Sequence, residues 1–200
     1  AGYEVDAEVM DDDSLTYGDD DYSVWNYDQN SLYDTLPMYQ ALAESKNTSA
    51  VWLLDKLGIQ KGIAKLEDFG ISIGEADENL GAIALGGMST GVSPVQLASA
   101  YTTFVNEGVR TEARFITKIV DATGAVIVDN TNPETNRVTT AAVAEEMTSM
   151  LMGVYADGGT GASAQPSNGM VIAGKTGTTE LDRETGYIKS QWMVGYTPDL

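Results

Sequence analysis

Two strand-like runs near the C-terminal end constrain the fold most: MVIAGKTGTT at 170–179 and IKSQWMVGYTP at 188–198. The polar stretch ELDRETG, residues 180–186, separates them. Apolar, β-branched and aromatic residues divided by a short polar turn predict an antiparallel hairpin. The rest of the chain is patterned mainly for helices. The expected class is therefore α+β, or mixed α/β: a helical subdomain followed by strands of an antiparallel sheet.

Periodicity locates the helices. LPMYQALAE places Pro37 in a first helical turn. The pattern pauses at Ser45-Lys46-Asn47 and resumes in TSAVWLLDKLG, where Val51, Leu54 and Leu57 share a face and Gly58 ends the run. A third helix carries Ile63, Leu66 and Phe69 on one side and stops at Gly70. Residues 79–92, NLGAIALGGMSTGV, are Gly-rich and apolar and read as a buried turn region. Ser93-Pro94-Val95-Gln96 has the form of a capping box with Pro in the first turn, opening a helix lined by Leu97, Tyr101 and Phe104. ARFITKIVDATGAVIVD, residues 113–129, switches to a period of two around Ala-Thr-Gly and predicts a hairpin. Residues 140–154 return to helical spacing, with the methionines as core filler.

Charge narrows the partners. Eleven basic and thirty acidic side chains give a net charge of −19, a field that repels nucleic acid and anionic lipid. Residues 1–45 hold no Lys or Arg, and their acids bunch as DDD at 11–13 and 19–21. Residues 1–35 are accordingly expected to form an acidic, irregular, solvated segment ahead of a domain over 36–200. The chain has no cysteine and no histidine. Disulfides, thiolate metal sites, His-bearing zinc sites and Ser-His-Asp triads are all excluded, so proton transfer falls to Lys, Glu, Asp, Tyr or water. No cofactor and no metal is expected. These 200 residues show no signal-peptide pattern and no apolar run long enough to span a bilayer, and any export signal or anchor is expected outside them.

One stretch, GMVIAGKTGTT at 169–179, admits two chemistries. Gly169 to Thr176 fits the phosphate-binding pattern G-x-x-x-x-G-K-[ST]. That loop needs a flexible turn between a strand and a helix, yet its variable positions here are Met170-Val171-Ile172-Ala173, a strand interior. Alternatively, Lys175 stands near the exposed end of a strand. Gly174 and Gly177 then let a substrate backbone approach, an ammonium attracts a carboxylate or a developing oxyanion, and the Thr176 and Thr178 hydroxyls can bind that carboxylate.

Ser45-Lys46-Asn47 and Lys175-Thr176-Gly177-Thr178 resemble the S-x-N and K-T-G-T elements of penicillin-binding transpeptidases. The resemblance to class A (bifunctional) members extends over ALAESKNTSAVWLLDKLGI, ALGGMSTGVSPVQLASAYTTFVNEGV, GGTGAS, AGKTGTT and QWMVGYTPDL, in the right order from about Trp25 to the end. It implies a serine β-lactamase/transpeptidase-like fold and a D,D-transpeptidase that cross-links peptidoglycan stem peptides and is inhibited by β-lactam antibiotics. By resemblance, Ser45 relays a proton, Asn47 hydrogen-bonds the substrate amide carbonyl, and Lys175 supplies positive potential and shares in proton transfer. Thr176 and Thr178 grip the terminal carboxylate, with Gly177 between them, and the Thr178 N–H forms half of an oxyanion hole. The implied partners are a stem peptide ending in D-Ala-D-Ala and β-lactams. The implied place is the outer face of the cytoplasmic membrane, held by an anchor outside these residues, in a parent protein that also carries a glycosyltransferase domain.

The sequence departs from the family pattern at one point. No serine has a lysine three positions later: Ser45 is followed there by Thr48, Ser89 by Val92 and Ser163 by Pro166. The family's nucleophile stands in S-x-x-K, upstream of S-x-N. The expectation is a fragment lacking the nucleophile and the closing strand and helix, inactive alone and prone to associate through unpaired sheet edges. The alternatives are a D,D-carboxypeptidase or β-lactamase of the same superfamily, a non-catalytic module binding β-lactam or wall peptide, and the nucleotide-binding reading.

Overall fold

A computed structural model describes residues 2–18, 20–28, 32–182, 185 and 187–198. The acidic segment expected to be irregular is instead tied into the fold. Strand β1 (Glu8–Asp11) pairs antiparallel with β4 (Asp34–Pro37), setting Val9 opposite Leu36. Between them, β2 (Thr16–Tyr17) and β3 (Tyr22–Ser23) form a small ladder. The reason is that the acids divide. Asp13 faces solvent, while Asp11 is fully buried. Its carboxylate accepts hydrogen bonds from Asn26 Nδ2 (2.6 Å), Thr48 Oγ1 (2.5 Å) and the Tyr33 N–H (3.2 Å). Lys46 Nζ stands 3.7 Å away. A buried carboxylate with that many donors is compatible with a folded core, which a charge count does not show. Asp19, in the second acidic bunch, lies outside the described residues.

Helix α1 (Met38–Ala43) begins directly after Pro37, which occupies its cap with φ −60° and ψ 141° rather than its first turn. Helices α2 (Asn47–Leu57) and α3 (Ile59–Asp68) follow as the periodicity predicts. The stretch 79–92 differs from expectation. It opens with a short helix, α4 (Leu80–Leu85), capped by the Asn79 side chain accepting from the Ala82 N–H at 2.9 Å, and most of its remainder is exposed. Helix α5 (Pro94–Val105) carries the expected capping box: the Gln96 N–H donates to Ser93 Oγ at 3.2 Å, and the Ser93 N–H to Gln96 Oε1 at 2.9 Å.

Strand β5 (Val109–Thr111) pairs with β8 (Thr135–Arg137), and β6 (Lys118–Val120) with β7 (Val126–Asp129) as the expected hairpin. Helix α6 (Ala141–Gly153) is capped by Thr140. Its Met150 is buried as core filler, whereas Met152 is largely exposed. The long hairpin β9 (Ala173–Asp182) and β10 (Tyr187–Tyr196) is antiparallel, pairing Lys175 with Val194 and Gly177 with Trp192. Strand β9 starts three residues later than its apolar run, and Met170 and Val171 remain exposed. The turn expected over 180–186 falls partly on residues outside those described.

The core lies where the N-terminal strands meet α2. Val9, Leu36 and Ala41 pack with Met38, Trp52 and Leu53, and Tyr17, Val24 and Val51 pack with Trp52, Leu80 and Ala84. Helix α6 bridges this core to the hairpin by packing on α1 and β9, and α5 reaches β10. Tyr196 of β10 is locked there: its hydroxyl lies 2.7 Å from Thr148 Oγ1, and its ring stands edge-on to Tyr101 at 6.4 Å. The hairpin is thereby docked so that β9 runs past the junction of α1 and α2. No helix among the described residues is long and apolar enough to cross a membrane.

Candidate active site

The junction of α1 and α2 is a turn wound tightly enough to reverse the chain. The Ser45 N–H bonds to Leu42 O (3.2 Å) and the Lys46 N–H to Ala41 O (2.9 Å). Ser45 takes a left-handed φ of +59°. A non-glycine residue rarely adopts that conformation, and it persists where surrounding structure enforces it. Here the enforcement comes from Lys46, which turns inward. Its ammonium is buried, 3.3 Å from Glu44 Oε2 and 3.7 Å from Asp11 Oδ2, and sits 4.7 Å from the centre of the Tyr33 ring. With Lys46 pinned inside, its neighbours Ser45 and Asn47 are only partly buried.

Asn47 opens α2 and is held by the segment before β4. Its Nδ2 donates to the Trp25 carbonyl at 3.0 Å. One residue on, the Asn26 side-chain oxygen accepts from the Thr48 N–H at 3.3 Å, satisfying a free donor of the helix start. The Asn47 amide is thus oriented, with its second N–H still available as a donor.

From the other side comes β9. Lys175 Nζ donates to Ser45 Oγ at 2.7 Å and to the Thr176 carbonyl at 3.1 Å. Burial of the ammonium away from water lowers the Lys175 pKa from 10.5 to about 8. A lysine poised there can both give and take a proton near neutral pH. Gly174 is needed for close packing: a side chain there would run into the Val194 carbonyl of β10. Thr176 is half-buried, with its hydroxyl 2.7 Å from Thr160 Oγ1, while Gly177 and Thr178 lie exposed further along β9. Strand β9 pairs only with β10 among the described strands, which leaves its other edge open to an extended peptide.

Of the residues singled out in the sequence, the structure brings Ser45 and Lys175 into direct contact and places Thr176, Gly177 and Thr178 on the same strand. Asn47 is two residues from Ser45, at the start of α2. The nucleotide-binding reading is overturned: the chain continues as a strand from Ala173 through Lys175 to Asp182, with no helix N-terminus after Lys175 to receive a phosphate. Sequence reasoning did not single out Thr160, which touches Thr176, nor Trp25 and Asn26, which hold the start of α2. The isolated Thr in Gly158-Gly159-Thr160-Gly161 was the available signal for the first.

Comparison with known proteins agrees with this geometry. The family model described as the penicillin binding protein transpeptidase domain matches residues 2–199. The chain is 41% identical over 191 residues to penicillin-binding protein 2a of Streptococcus pneumoniae, covering 96% of this chain and 25% of that protein. It is 39% identical over 193 residues to penicillin-binding protein 1F of Bacillus subtilis, covering 96% of this chain and 26% of that one. The chain thus spans about a quarter of the length of these relatives. Among solved structures, PonA1 of Mycobacterium tuberculosis in complex with penicillin V matches with a TM-score of 0.77 and 26% identity, covering 98% of this chain and 53% of that one.

Proposed function

Because this chain belongs to the family formed by the transpeptidase domains of class A penicillin-binding proteins, we propose that it carries the proton-relay and substrate-holding half of a serine D,D-transpeptidase site. The observation that carries the proposal is the 2.7 Å hydrogen bond between Lys175 Nζ and Ser45 Oγ. It joins the lysine of an open strand, with its pKa lowered to about 8, to the hydroxyl of the turn between α1 and α2. The substrate is a peptidoglycan stem peptide ending in D-Ala-D-Ala, lying along the free edge of β9. Thr176 and Thr178 hold its terminal carboxylate, and the Asn47 amide donates to a carbonyl of its backbone. β-Lactams take the same place in this reading, which the solved complex of PonA1 with penicillin V supports.

The nucleophile is a serine of an S-x-x-K element that these 200 residues do not contain. It attacks the D-Ala-D-Ala carbonyl to form an acyl-enzyme, and the proton its hydroxyl loses enters the relay of Ser45 and Lys175. Ser45 delivers a proton to the departing D-Ala amine and is reprotonated through Lys175. A neighbouring stem peptide's amine then displaces the serine, losing its proton along the same path, so that one peptide bond is broken and one formed. The 200 residues alone are inactive in this reading. The full-length protein works on the outer face of the cytoplasmic membrane, where its glycan and peptide substrates are.

Intact mass spectrometry of the natural full-length polypeptide after exposure to benzylpenicillin tests the reading. One stoichiometric adduct, mapped to a serine outside residues 1–200 and lost in Lys175→Ala, is expected. A folded full-length protein that takes up no adduct would sink it.

A further inference from the structure

Resting on the reading of Thr176 as a carboxylate-holding hydroxyl, the geometry points to Thr160 as a positioning residue that sets the direction in which that hydroxyl donates. Thr160 belongs to the turn Gly158-Gly159-Thr160-Gly161 after α6, and it is the one residue of the four with a side chain. Gly159 and Gly161 leave no room for others, whereas Gly158 takes a left-handed φ of +89°. A Cβ at Gly159 would collide with the Val154 carbonyl, and one at Gly161 would press on the Tyr155 ring at 3.1 Å. Backbone bonds wind the turn down onto α6, with the Gly159 N–H on Ala156 O (2.9 Å) and the Gly161 N–H on Val154 O (2.9 Å).

The Thr160 N–H crosses to Ala43 O at 3.1 Å, at the end of α1 and two residues before Ser45. Its hydroxyl reaches the opposite way, to Thr176 Oγ1 at 2.7 Å. Thr160 therefore spans the gap between the turn that bears Ser45 and the strand that bears Lys175, fixed at its backbone and aimed through its side chain.

The chemistry of hydroxyls gives this contact a direction. Each threonine has one hydroxyl hydrogen, and an O···O contact consumes one of the two. A carboxylate only accepts, so Thr176 must spend its single hydrogen on it. Thr176 then remains bonded to Thr160 only by accepting, and the order becomes Thr160 O–H to Thr176 O–H to carboxylate. Accepting a bond polarises the Thr176 hydroxyl and strengthens its donation. Without the Thr160 hydroxyl, Thr176 loses both the orientation and the polarisation.

The test compares acylation of the natural full-length protein by benzylpenicillin and by its methyl ester, which lacks the carboxylate charge. Thr160→Val is expected to slow acylation by the acid about five- to tenfold while leaving the ester within about twofold, and Thr160→Ser to stay within about twofold for both. Thr160→Ala is read beside Thr160→Val, so that misfolding of one does not decide the result. Equal rates for Thr160→Val and wild type with the acid would overturn the inference. So would parallel losses with acid and ester, or a serine variant that behaves like valine. Thr176→Val separates the two levels. If it leaves the acid-to-ester ratio unchanged, the carboxylate role of Thr176 fails and this inference with it. If it abolishes the ratio while Thr160→Val preserves it, only the role of Thr160 fails.

Discussion

Ser45 Oγ accepts a 2.7 Å hydrogen bond from Lys175 Nζ, and the two residues are 130 positions apart in the chain. Neither group is unusual alone. Their meeting makes a short proton path out of a strained turn and a buried ammonium. Burial brings the Lys175 pKa down to about 8, which in the proposed mechanism lets it act in either direction.

Burial of Lys175 links stability to pH. Its folded pKa of about 8 lies below the ordinary 10.5, so between these values the unfolded chain binds a proton that the folded protein has released. Stability relative to Lys175→Met is expected to be flat below about pH 8, to rise from there to about 10.5 by at most about 3 kcal/mol, and to level off above. Denaturation of both proteins at a series of pH values measures this, and the difference removes the alkaline titration of buried tyrosines. At pH 7 Lys175→Met should be at least as stable as wild type yet fail to acylate. A difference that falls with pH would contradict the assignment.

The left-handed turn at Ser45 stores strain. Ser45→Gly and Ser45→Ala both remove the hydroxyl that meets Lys175, but only glycine tolerates φ +59° without cost. The glycine variant should be more stable than the alanine variant by about 1 kcal/mol, with both slow to acylate. Urea titrations of the two variants measure the gap, and equal midpoints would remove strain from the account.

Asp11 neutralises an interior that also holds Lys46. Asp11→Ala removes one of the two carboxylates beside that ammonium and the acceptor of the Asn26 amide, leaving Glu44 3.3 Å from Lys46 and Asn26 Oδ1 3.2 Å from Thr48 Oγ1, and should cost about 3 kcal/mol. The double variant Asp11→Leu, Lys46→Met should recover much of the loss. Melting temperatures of the three proteins decide it. A double variant no better than the single one would mean that the pair does more than neutralise itself.

Gly174 is the glycine of the β9–β10 hairpin with the least room for a side chain. Gly174→Ala forces the strands apart where a methyl meets the Val194 carbonyl, at an expected cost of about 1–3 kcal/mol. Because Lys175 is the next residue, acylation should slow beyond what the stability loss explains, as penicillin uptake at a temperature where the variant remains folded would show. Unchanged uptake would place the strand's position outside the requirements of the site.

Where the sequence was readable, local rules governed. Helices α2, α3, α5 and α6 follow from apolar spacing, and the Ser93–Gln96 capping box is written in four residues. Ser45, Asn47 and Lys175 were recoverable because they sit in short motifs. Legibility failed where long-range pairing overrode composition. Asp11 looked like part of a solvated run because its partners Asn26, Thr48 and Lys46 lie 15 to 37 residues away. Helix α4 was hidden by the glycines after it, although Asn79 offered a cap. Thr160 was hidden because a threonine among glycines carries no periodicity, and its meaning comes only from Thr176 across the turn.

The docking of the hairpin through Tyr196, Thr148 and Tyr101 bears on the order of events during folding. Helices form from neighbours in sequence, whereas the Ser45–Lys175 contact requires one of the longest loop closures in the chain. A partly folded molecule with its helices in place and its hairpin undocked would hold Ser45 without Lys175, and so would have no path for the proton. In the proposed reading the proton relay and completion of the tertiary structure are therefore coupled, because Ser45 meets Lys175 only once the hairpin has docked.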